Sequence, residues 1–180
     1  MNPKISQKEH FLPTILTDLL IKETEIKPIN IEEEKSELYY KSLNGYGEIK
    51  FKNNTEYTGF VKYGILESDS GKCKIKFPNG TEYEGEIKQN QLTGKGEYIF
   101  PTGAIYKGEI KNGLRHGKGE YDSEKEGIKY EGNWFNGLKQ GKGLLNVKDQ
   151  MIYDGEFFEG IKHGLGKLTW PTKNTYEGQL

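Results

Sequence analysis

The chain has 180 residues, of which 33% are hydrophobic and 29% are charged, so it can form one domain but not a thick two-layer core. Its formal net charge of −1 gives no global attraction to nucleic acid or to a membrane surface. The single cysteine, Cys73, excludes an internal disulfide framework, and no apolar run reaches the length of a membrane span. These features predict a soluble cytoplasmic protein.

Residues 1–37 form a leader that differs from the rest of the chain, because all 24 glycines lie between Gly45 and Gly178. The stretch HFLPTILTDLLIKETE carries apolar residues at helical spacing and predicts a short amphipathic helix between Pro13 and Pro28. Ile26, Ile29 and Ile31 continue as extended chain. The leader is expected either to cap the first repeat, to dock into a neighbour or to remain disordered.

Residues 38–180 contain an internal repeat, which is the strongest signal in the sequence. The motif Tyr-x-Gly recurs at spacings of 23 to 26 residues. Its copies are Tyr57/Gly59, Tyr83/Gly85, Tyr106/Gly108, Tyr130/Gly132, Tyr153/Gly155 and Tyr176/Gly178, and we call the six tyrosines the marker tyrosines. Between them lie the Gly-x-Gly pairs Gly45/Gly47, Gly94/Gly96, Gly117/Gly119, Gly141/Gly143 and Gly164/Gly166, with Cys73 replacing the second glycine of one further pair.

Each repeat has the pattern of a β-hairpin. Residues at positions 0, +2 and +4 from a marker tyrosine are Tyr, Gly and an apolar side chain, while +1 and +3 are mostly polar. This period of two indicates strands with one apolar face. Turns are predicted at 78–80, 101–103, 112–113 and 136–137, and the extra residues of the longer repeats fall in the intervening segments 63–70 and 124–127.

The glycines are expected to make room for aromatic rings, so that each marker tyrosine lies over a glycine of an adjacent strand. Because one hairpin is marginally stable in water, we expect the hairpins to stack. The predicted fold is all-β: an elongated, twisted, single-layer antiparallel meander with a short N-terminal helix.

The pattern Tyr-x-Gly-x-apolar-x-x-Gly-x-x-x-Gly-x-Gly resembles the MORN repeat, most clearly from Tyr106 to Gly119 and from Tyr153 to Gly166. The last copy stops after Gly178, which suggests a fragment or an end completed by a partner strand. The leader motif Ile15-Leu16-Thr17-Asp18-Leu19-Leu20, followed by Gly45-Tyr46-Gly47-Glu48, resembles the N-terminal part of radial spoke head proteins.

No catalytic, metal or cofactor site is predicted. The run Gly113–Gly119 is one residue too short for a P-loop and ends in glycine instead of Lys-Ser/Thr. His116 and His163 occupy a repeat position that elsewhere holds Thr93 or Gln140, and Cys73 has no spaced partner for zinc.

Two surfaces are predicted to bind partners. A one-layer sheet would expose a row of aromatic side chains, and patches of this kind usually bind another molecule: Phe77, Phe100, Trp134, Phe157 and Trp170. The loops 88–95, 111–118, 135–142 and 158–165 predict a basic edge, composed of Lys88, Lys95, Lys111, Arg115, Lys118, Lys139, Lys142 and Lys162. The competing interpretations are that the aromatic side chains pack on each other or under the leader, and that the lysines merely keep hairpin ends soluble.

The sequence favours a non-catalytic scaffold that binds other proteins of a large axonemal or cytoskeletal assembly, with self-association as a further expected contact. The resemblance to radial spoke head proteins implies a ciliary axonemal complex. The alternative is a peripheral adaptor that binds acidic phospholipid through the basic edge, as the MORN resemblance implies. No nucleic acid partner is expected.

Overall fold

The computed structural model describes residues 24–27, 44–51, 53–68 and 72–180, and every regular element within these ranges is a β-strand. The fourteen strands are β1 Thr24–Lys27, β2 Asn44–Phe51, β3 Glu56–Lys62, β4 Ile65–Glu67, β5 Cys73–Lys76, β6 Glu82–Lys88, β7 Gln91–Ile99, β8 Ile105–Lys111, β9 Leu114–Ser123, β10 Ile128–Phe135, β11 Leu138–Val147, β12 Met151–Phe158, β13 Ile161–Thr169 and β14 Thr175–Gln179.

The strands form one antiparallel sheet in sequence order, from β1 to β14, with β4 attached to β3 beside the main path. This is the hairpin meander that the repeat predicts. Because the two strands of every hairpin are adjacent in the chain, each repeat contacts mainly its neighbours, as in other repeat proteins.

One residue from each strand of the main path between β2 and β14 joins a continuous cross-strand ladder on the inner face of the sheet. The ladder runs Ile49, Tyr57, Ile75, Tyr83, Tyr98, Tyr106, Tyr121, Tyr130, Leu145, Tyr153, Leu168, Tyr176. Cross-strand pairs of aromatic and aliphatic side chains stabilise sheets by roughly 0.2–1 kcal/mol each, so this ladder is a continuous stabilising part of the core.

A second ladder, composed of glycines, lies two residues away from the first. Gly47 pairs with Gly59 at its beginning, and Cys73 replaces the glycine of β5. From β6 onward the facing residues are Gly85, Gly96, Gly108, Gly119, Gly132, Gly143, Gly155, Gly166 and Gly178. The Tyr-x-Gly glycines and the second glycines of the Gly-x-Gly pairs therefore belong to one continuous row.

Four hairpins change register directly after a pair of facing glycines. In the hairpin of β8 and β9, Gly108 faces Gly119, and the shift follows between Gly108 and Glu109. The same shift occurs in the hairpins β6/β7, β10/β11 and β12/β13. Such bulges bend strands.

The bend brings together side chains from the two ends of one strand. The Arg115 guanidinium lies 5.8 Å from the ring of Tyr121, six residues further along β9, whereas six residues of straight strand would span about 20 Å. Across the hairpin of β12 and β13, Lys162 Nζ lies 3.2 Å from Met151 Sδ. Each hairpin therefore folds around its marker tyrosine, and the inner face of the single layer becomes a groove lined by its own side chains.

The marker tyrosine fixes this bend. A Cβ atom added to Gly119 would lie 2.6 Å from Tyr106 Cζ, so the ring occupies the space above the glycine. The Tyr106 hydroxyl donates a 2.8 Å hydrogen bond to the carbonyl of Glu109, three residues on. The equivalent bond to the third following carbonyl recurs from Tyr57, Tyr83, Tyr130, Tyr153 and Tyr176.

The expectation that each ring covers a glycine of an adjacent strand is confirmed for four of the six marker tyrosines, and each of these four rings also covers a glycine of its own strand. A Cβ on Gly143, across the hairpin, would lie 2.6 Å from Tyr130 Cζ, and a Cβ on Gly132, in the same strand as the tyrosine, would lie 2.5 Å from Tyr130 Oη. Positions 0 and +2 of a strand share a face, so the ring reaches both members of the facing pair. The same arrangement holds for Tyr83 over Gly85 and Gly96, Tyr106 over Gly108 and Gly119, and Tyr153 over Gly155 and Gly166.

The first and last marker tyrosines cover a glycine of their own strand only. A Cβ on Gly59 would lie 2.6 Å from Tyr57 Cζ, and it would also lie 3.0 Å from the Cβ of Cys73, which replaces the second glycine. Tyr176 lies over Gly178, and β14 is the last strand of the sheet. The adjacent-strand contact that the sequence predicts is therefore missing at these two tyrosines within the described ranges.

The first glycine of each Gly-x-Gly pair does not lie under a ring, which corrects the expectation that both glycines make room for tyrosine. Gly94, Gly117, Gly141 and Gly164 all have positive φ. A Cβ at these positions would approach the polar side chains of Glu86, Glu109, Asn133 and Glu156, respectively. At the start of the sheet, a Cβ on Gly45 or Gly47 would meet nothing within 4 Å.

Two expectations for the first part of the chain also need correction. The helix predicted between Pro13 and Pro28 cannot include Thr24–Lys27, because these residues form β1, which pairs with β2. The remainder of that helix lies outside the described residues. The segment 63–70, expected to be a connection, contains β4, which adds Leu66 to the core opposite Val61.

Candidate binding surfaces

A row of side chains along one wall of the groove changes from apolar to cationic. The residue nine positions after each of the first five marker tyrosines faces an apolar side chain at position +4 of the preceding strand. The pairs are Leu66–Val61, Leu92–Ile87, Arg115–Ile110, Lys139–Trp134 and Lys162–Phe157. We call Arg115, Lys139 and Lys162 the groove cations. The first two repeats have leucine at this position, so at position +9 positive charge is confined to the later repeats.

Each groove cation lies against aromatic rings. Arg115 Cζ is 4.3 Å from the centre of the Trp134 ring, and Nη2 donates a 2.9 Å hydrogen bond to the carbonyl of Gly137. Lys139 Nζ lies 5.1 Å from the centre of the Tyr130 ring, and Lys162 Nζ lies 5.6 Å from that of Tyr153. These distances are typical of cation–π interactions, which gain strength as water is removed.

Burial perturbs the two groove lysines. Lys139 is only 9% exposed, and burial lowers the pKa of its ammonium to about 8, with smaller contributions in the same direction from the charges of Arg115 and Lys162. Glu126 opposes this shift. Burial also lowers the pKa of Lys162, which is half-buried. Within the described ranges, neither ammonium forms a salt bridge with a carboxylate.

The aromatic row expected to face solvent lies mostly inside the groove. Phe100, Trp134 and Phe157 are buried, Phe77 is half-buried, and only Trp170 is exposed, at 39%. The reason is the bend of each hairpin, which packs rings of neighbouring repeats edge to face. Tyr130, for example, contacts both Trp134 and Phe157 in T-shaped geometry.

The predicted basic edge divides into two groups. Five of its lysines are exposed and lie outside the groove, namely Lys88, Lys95, Lys111, Lys118 and Lys142, whereas the three groove cations pack against aromatic rings of the groove. Two of these five lysines face a carboxylate residue across the sheet, in the pairs Lys95–Glu109 and Lys142–Glu156. The loop charges counted from sequence therefore overstate the basic character of this edge.

The structure also shows an apolar surface that the sequence prediction missed. Phe135 and Phe158, five residues after their marker tyrosines, are 55% and 51% exposed, and Ile161 is 70% exposed. We call these three residues the apolar turn edge, because they lie next to the turns that close two successive hairpins. The available signal was the replacement of Lys88 and Lys111 by phenylalanine at the same position of later repeats.

The two histidines of the repeats pack on this edge. The ring of His116 lies 5.2 Å from that of Phe135, and the ring of His163 lies 5.8 Å from that of Phe158, measured between centroids. In the described part of the chain, no group of three His, Cys, Asp or Glu residues is arranged to hold a metal ion. Cys73 is fully buried opposite Gly85, and burial raises the pKa of its thiol to about 12.

Among the described residues, no helix could cross a bilayer. No curated protein matches the chain in sequence. Among solved structures, the TCP domain of Drosophila melanogaster SAS-4, bound to a proline-rich motif of Ana2, is 11% identical with a TM-score of 0.47, and the alignment covers 86% of this chain and 88% of that one.

The wild-type TCP10 domain of Danio rerio CPAP, bound to a peptide of Danio rerio STIL, is 14% identical with a TM-score of 0.29. That alignment covers 76% of this chain and 65% of the CPAP chain. Likenesses at this level do not bear on function.

The sequence family of the MORN repeat matches residues 83–105, 106–126, 130–145 and 153–175. Each match begins at a marker tyrosine, and the four are Tyr83, Tyr106, Tyr130 and Tyr153. The chain therefore contains MORN repeats, four of them in succession.

Proposed function

We propose that this protein is a non-catalytic scaffold that holds another protein through its apolar turn edge. The observation that carries this proposal is the exposure of Phe135, Phe158 and Ile161 on successive repeats of a sheet whose own core is already filled. When a partner covers aligned apolar side chains, their removal from water stabilises the complex by about 25 cal/mol per Å² of buried apolar surface. The supporting bent sheet provides a rigid base for such a contact.

The experiment is purification of the tagged protein from its native cells, with identification of the proteins that accompany it. A Phe135→Ser/Phe158→Ser variant is expected to lose the partner. The matched control is Lys88→Ser/Lys111→Ser, which changes the same repeat position in earlier hairpins and should retain the partner. Equal recovery of the partner with both variants would contradict the role of the apolar turn edge.

The assembly we propose for this scaffold is a ciliary axonemal complex such as the radial spoke, and the protein is then located in the cilium. This proposal is supported by the sequence motif of the leader and by the repeats that follow it. Comparative proteomics of isolated cilia and cell bodies tests it. Enrichment in cilia is expected, and absence from cilia would overturn the axonemal assignment without affecting the scaffold itself.

A second candidate function is a peripheral membrane adaptor that binds acidic phospholipid. It is favoured by the five lysines outside the groove, Lys88, Lys95, Lys111, Lys118 and Lys142, which lie near the same ends of successive hairpins. Sedimentation with phosphoinositide vesicles at increasing salt tests it, because screening weakens contacts between exposed charges. Binding that falls with salt and disappears when all five become glutamine supports this function, and no binding at low salt removes it.

A further inference from the structure

The groove cations form a regularly spaced row in the later repeats. They lie on β9, β11 and β13, which are alternate strands of one sheet. Since neighbouring strands lie about 4.8 Å apart, successive cations are roughly 10 Å apart along the groove. The equivalent residues of the earlier repeats are Leu66 and Leu92, so the row begins at Arg115.

The two groove lysines hold positive charge where it is costly. A charge that is largely removed from water needs a partner, and ring faces replace only part of its hydration. Lys139 is nine-tenths buried and has no carboxylate partner in the described part of the chain. A lysine in this situation keeps its ammonium at the solvent end of a buried aliphatic stem, where a ligand can reach it.

We propose that this part of the groove binds an acidic segment of a partner protein, whose carboxylates contact Lys139 and Lys162 with the charge of Arg115 extending the site. Charge complementarity selects an anionic ligand. Lys139 is only 9% exposed, so a single carboxylate of an extended segment can approach its ammonium more closely than a flat layer of headgroups can. The burial and the aromatic contacts of Lys139 agree with a charge that awaits a counterion.

This site is separate from the apolar turn edge, and its test leaves Phe135 and Phe158 unchanged. The probe is a fluorescein-labelled oligo-glutamate peptide, and the readout is fluorescence anisotropy with the full chain at low salt. Wild-type protein is expected to bind the probe, and Lys139→Met/Lys162→Met is expected to weaken binding about tenfold or more. Methionine keeps an unbranched apolar stem against the rings, and thermal unfolding verifies that the variant is folded.

The matched control is Lys111→Met/Lys118→Met, which removes two lysines outside the groove and leaves the groove intact. It is expected to bind the probe within about twofold of wild type, because exposed charges contribute little. A control loss as large as that of the groove variant would overturn the proposal, as would wild-type affinity in the groove variant. Anionic vesicles that bind through Lys139 and Lys162 while the peptide does not would also overturn it.

Discussion

Gly117 and Gly119 form one Gly-x-Gly pair, but each position requires glycine for a different physical reason. Gly117 has a φ of +54°, in the left-handed region that disfavours side chains, and a Cβ there would meet the carboxylate of Glu109. Gly119 lies under the ring of Tyr106. The first glycine therefore permits the bulge, and the second provides space for the ring that fixes it.

Replacement of Gly119 by alanine should destabilise the protein by about 1–3 kcal/mol, because the new methyl group would overlap the Tyr106 ring. The matched control is Gly47→Ala, where an added Cβ meets nothing within 4 Å and φ is not left-handed. This substitution should stabilise by about 0.4–1 kcal/mol through the unfolded chain. Urea unfolding of both variants measures the difference, and equal effects would contradict the packing role of Gly119.

Lys139 should make stability depend on pH in the weakly alkaline range. Its ammonium has a pKa of about 8 in the folded protein against the usual value of 10.5. Between these values the unfolded chain binds more protons, so the free energy of unfolding should rise with pH. Above about pH 10 the trend should reverse, because burial raises the pKa of Tyr130 to about 12 and the unfolded tyrosine ionises first.

The variant Lys139→Met isolates this effect. At about pH 7 it should be more stable than wild type by about 1–3 kcal/mol, since it removes a buried charge. That advantage should shrink as pH rises from about 8 to 10.5, as measured by urea unfolding at several pH values. The control Lys111→Met removes an exposed amine and corrects for the change in net charge. A constant advantage across this range would show that burial does not lower the pKa of Lys139.

At the scale of elements, the hairpins are closed by two-residue turns in which both residues have positive φ. Asn112-Gly113 and Asn136-Gly137 have φ values of 52° and 75°, and of 47° and 84°. This geometry is the type I′ turn, which matches the twist of antiparallel strands. The final complete hairpin uses Glu159-Gly160 instead, with glutamate at a φ of 49°.

Glu159→Asn should therefore stabilise the protein by roughly 0.5–1 kcal/mol, because asparagine adopts the left-handed region at lower cost than glutamate. The side chain is exposed, so no core contact is changed. Thermal unfolding measures the gain. The control Glu131→Asn places the same substitution on an exposed position of β10, where no gain is expected; a gain there would mean that the turn is not the cause.

The hairpins were predictable from sequence because each one repeats the same chemistry of Tyr, Gly and turn residues. The bend was not, since a bulge is a property of the register between two strands, and the spacing of Gly85 and Gly96 alone does not reveal it. The bend also explains why Arg115 and Lys139, taken from sequence as edge residues, lie inside the groove. β4 escaped prediction because Ile65–Glu67 is too short to show a period of two.

Four marker tyrosines cover a second glycine, in their own strand, and this contact escaped prediction for a related reason. In sequence, Gly132 and Gly155 stand two residues after their tyrosines, and this spacing shows only that they share a face with them. Whether the ring tilts along its own strand or across to Gly143 depends on where the hydroxyl finds an acceptor. The acceptor is the third following carbonyl, that of Asn133 for Tyr130, and reaching it draws the ring over both glycines.

At the scale of the whole molecule, burial of the ladder is uneven. Tyr98 and Tyr106 are inaccessible to solvent, whereas Tyr176, on the last strand of the sheet, is 42% exposed. Interior strands pair on two sides and lie under the rings of two neighbours, while β14 pairs only with β13. Stability should therefore decrease from the central repeats toward β14.

Amide hydrogen exchange should reveal this gradient. Protection is expected to be greatest for the amides of β7 to β11 that are hydrogen-bonded to a neighbouring strand. It is expected to be least in β14, because local opening of β14 breaks contacts on one side only. Exchange followed by mass spectrometry of peptides from the intact chain measures it. Uniform protection from β7 to β14 would mean that the sheet opens as one cooperative unit instead of repeat by repeat.

The bend recurs at the same place in each of four hairpins, and this has a consequence for how such a protein changes over time. The cross-section of the groove is set within one repeat and its neighbour, whereas its length is set by the number of repeats. The residue at position +9 faces the groove without taking part in the bend. A substitution there changes the polarity and charge of the groove over the roughly 10 Å that one repeat contributes, and it leaves the other repeats unchanged. Each of the equivalent residues can therefore change independently of the others, namely Leu66, Leu92, Arg115, Lys139 and Lys162.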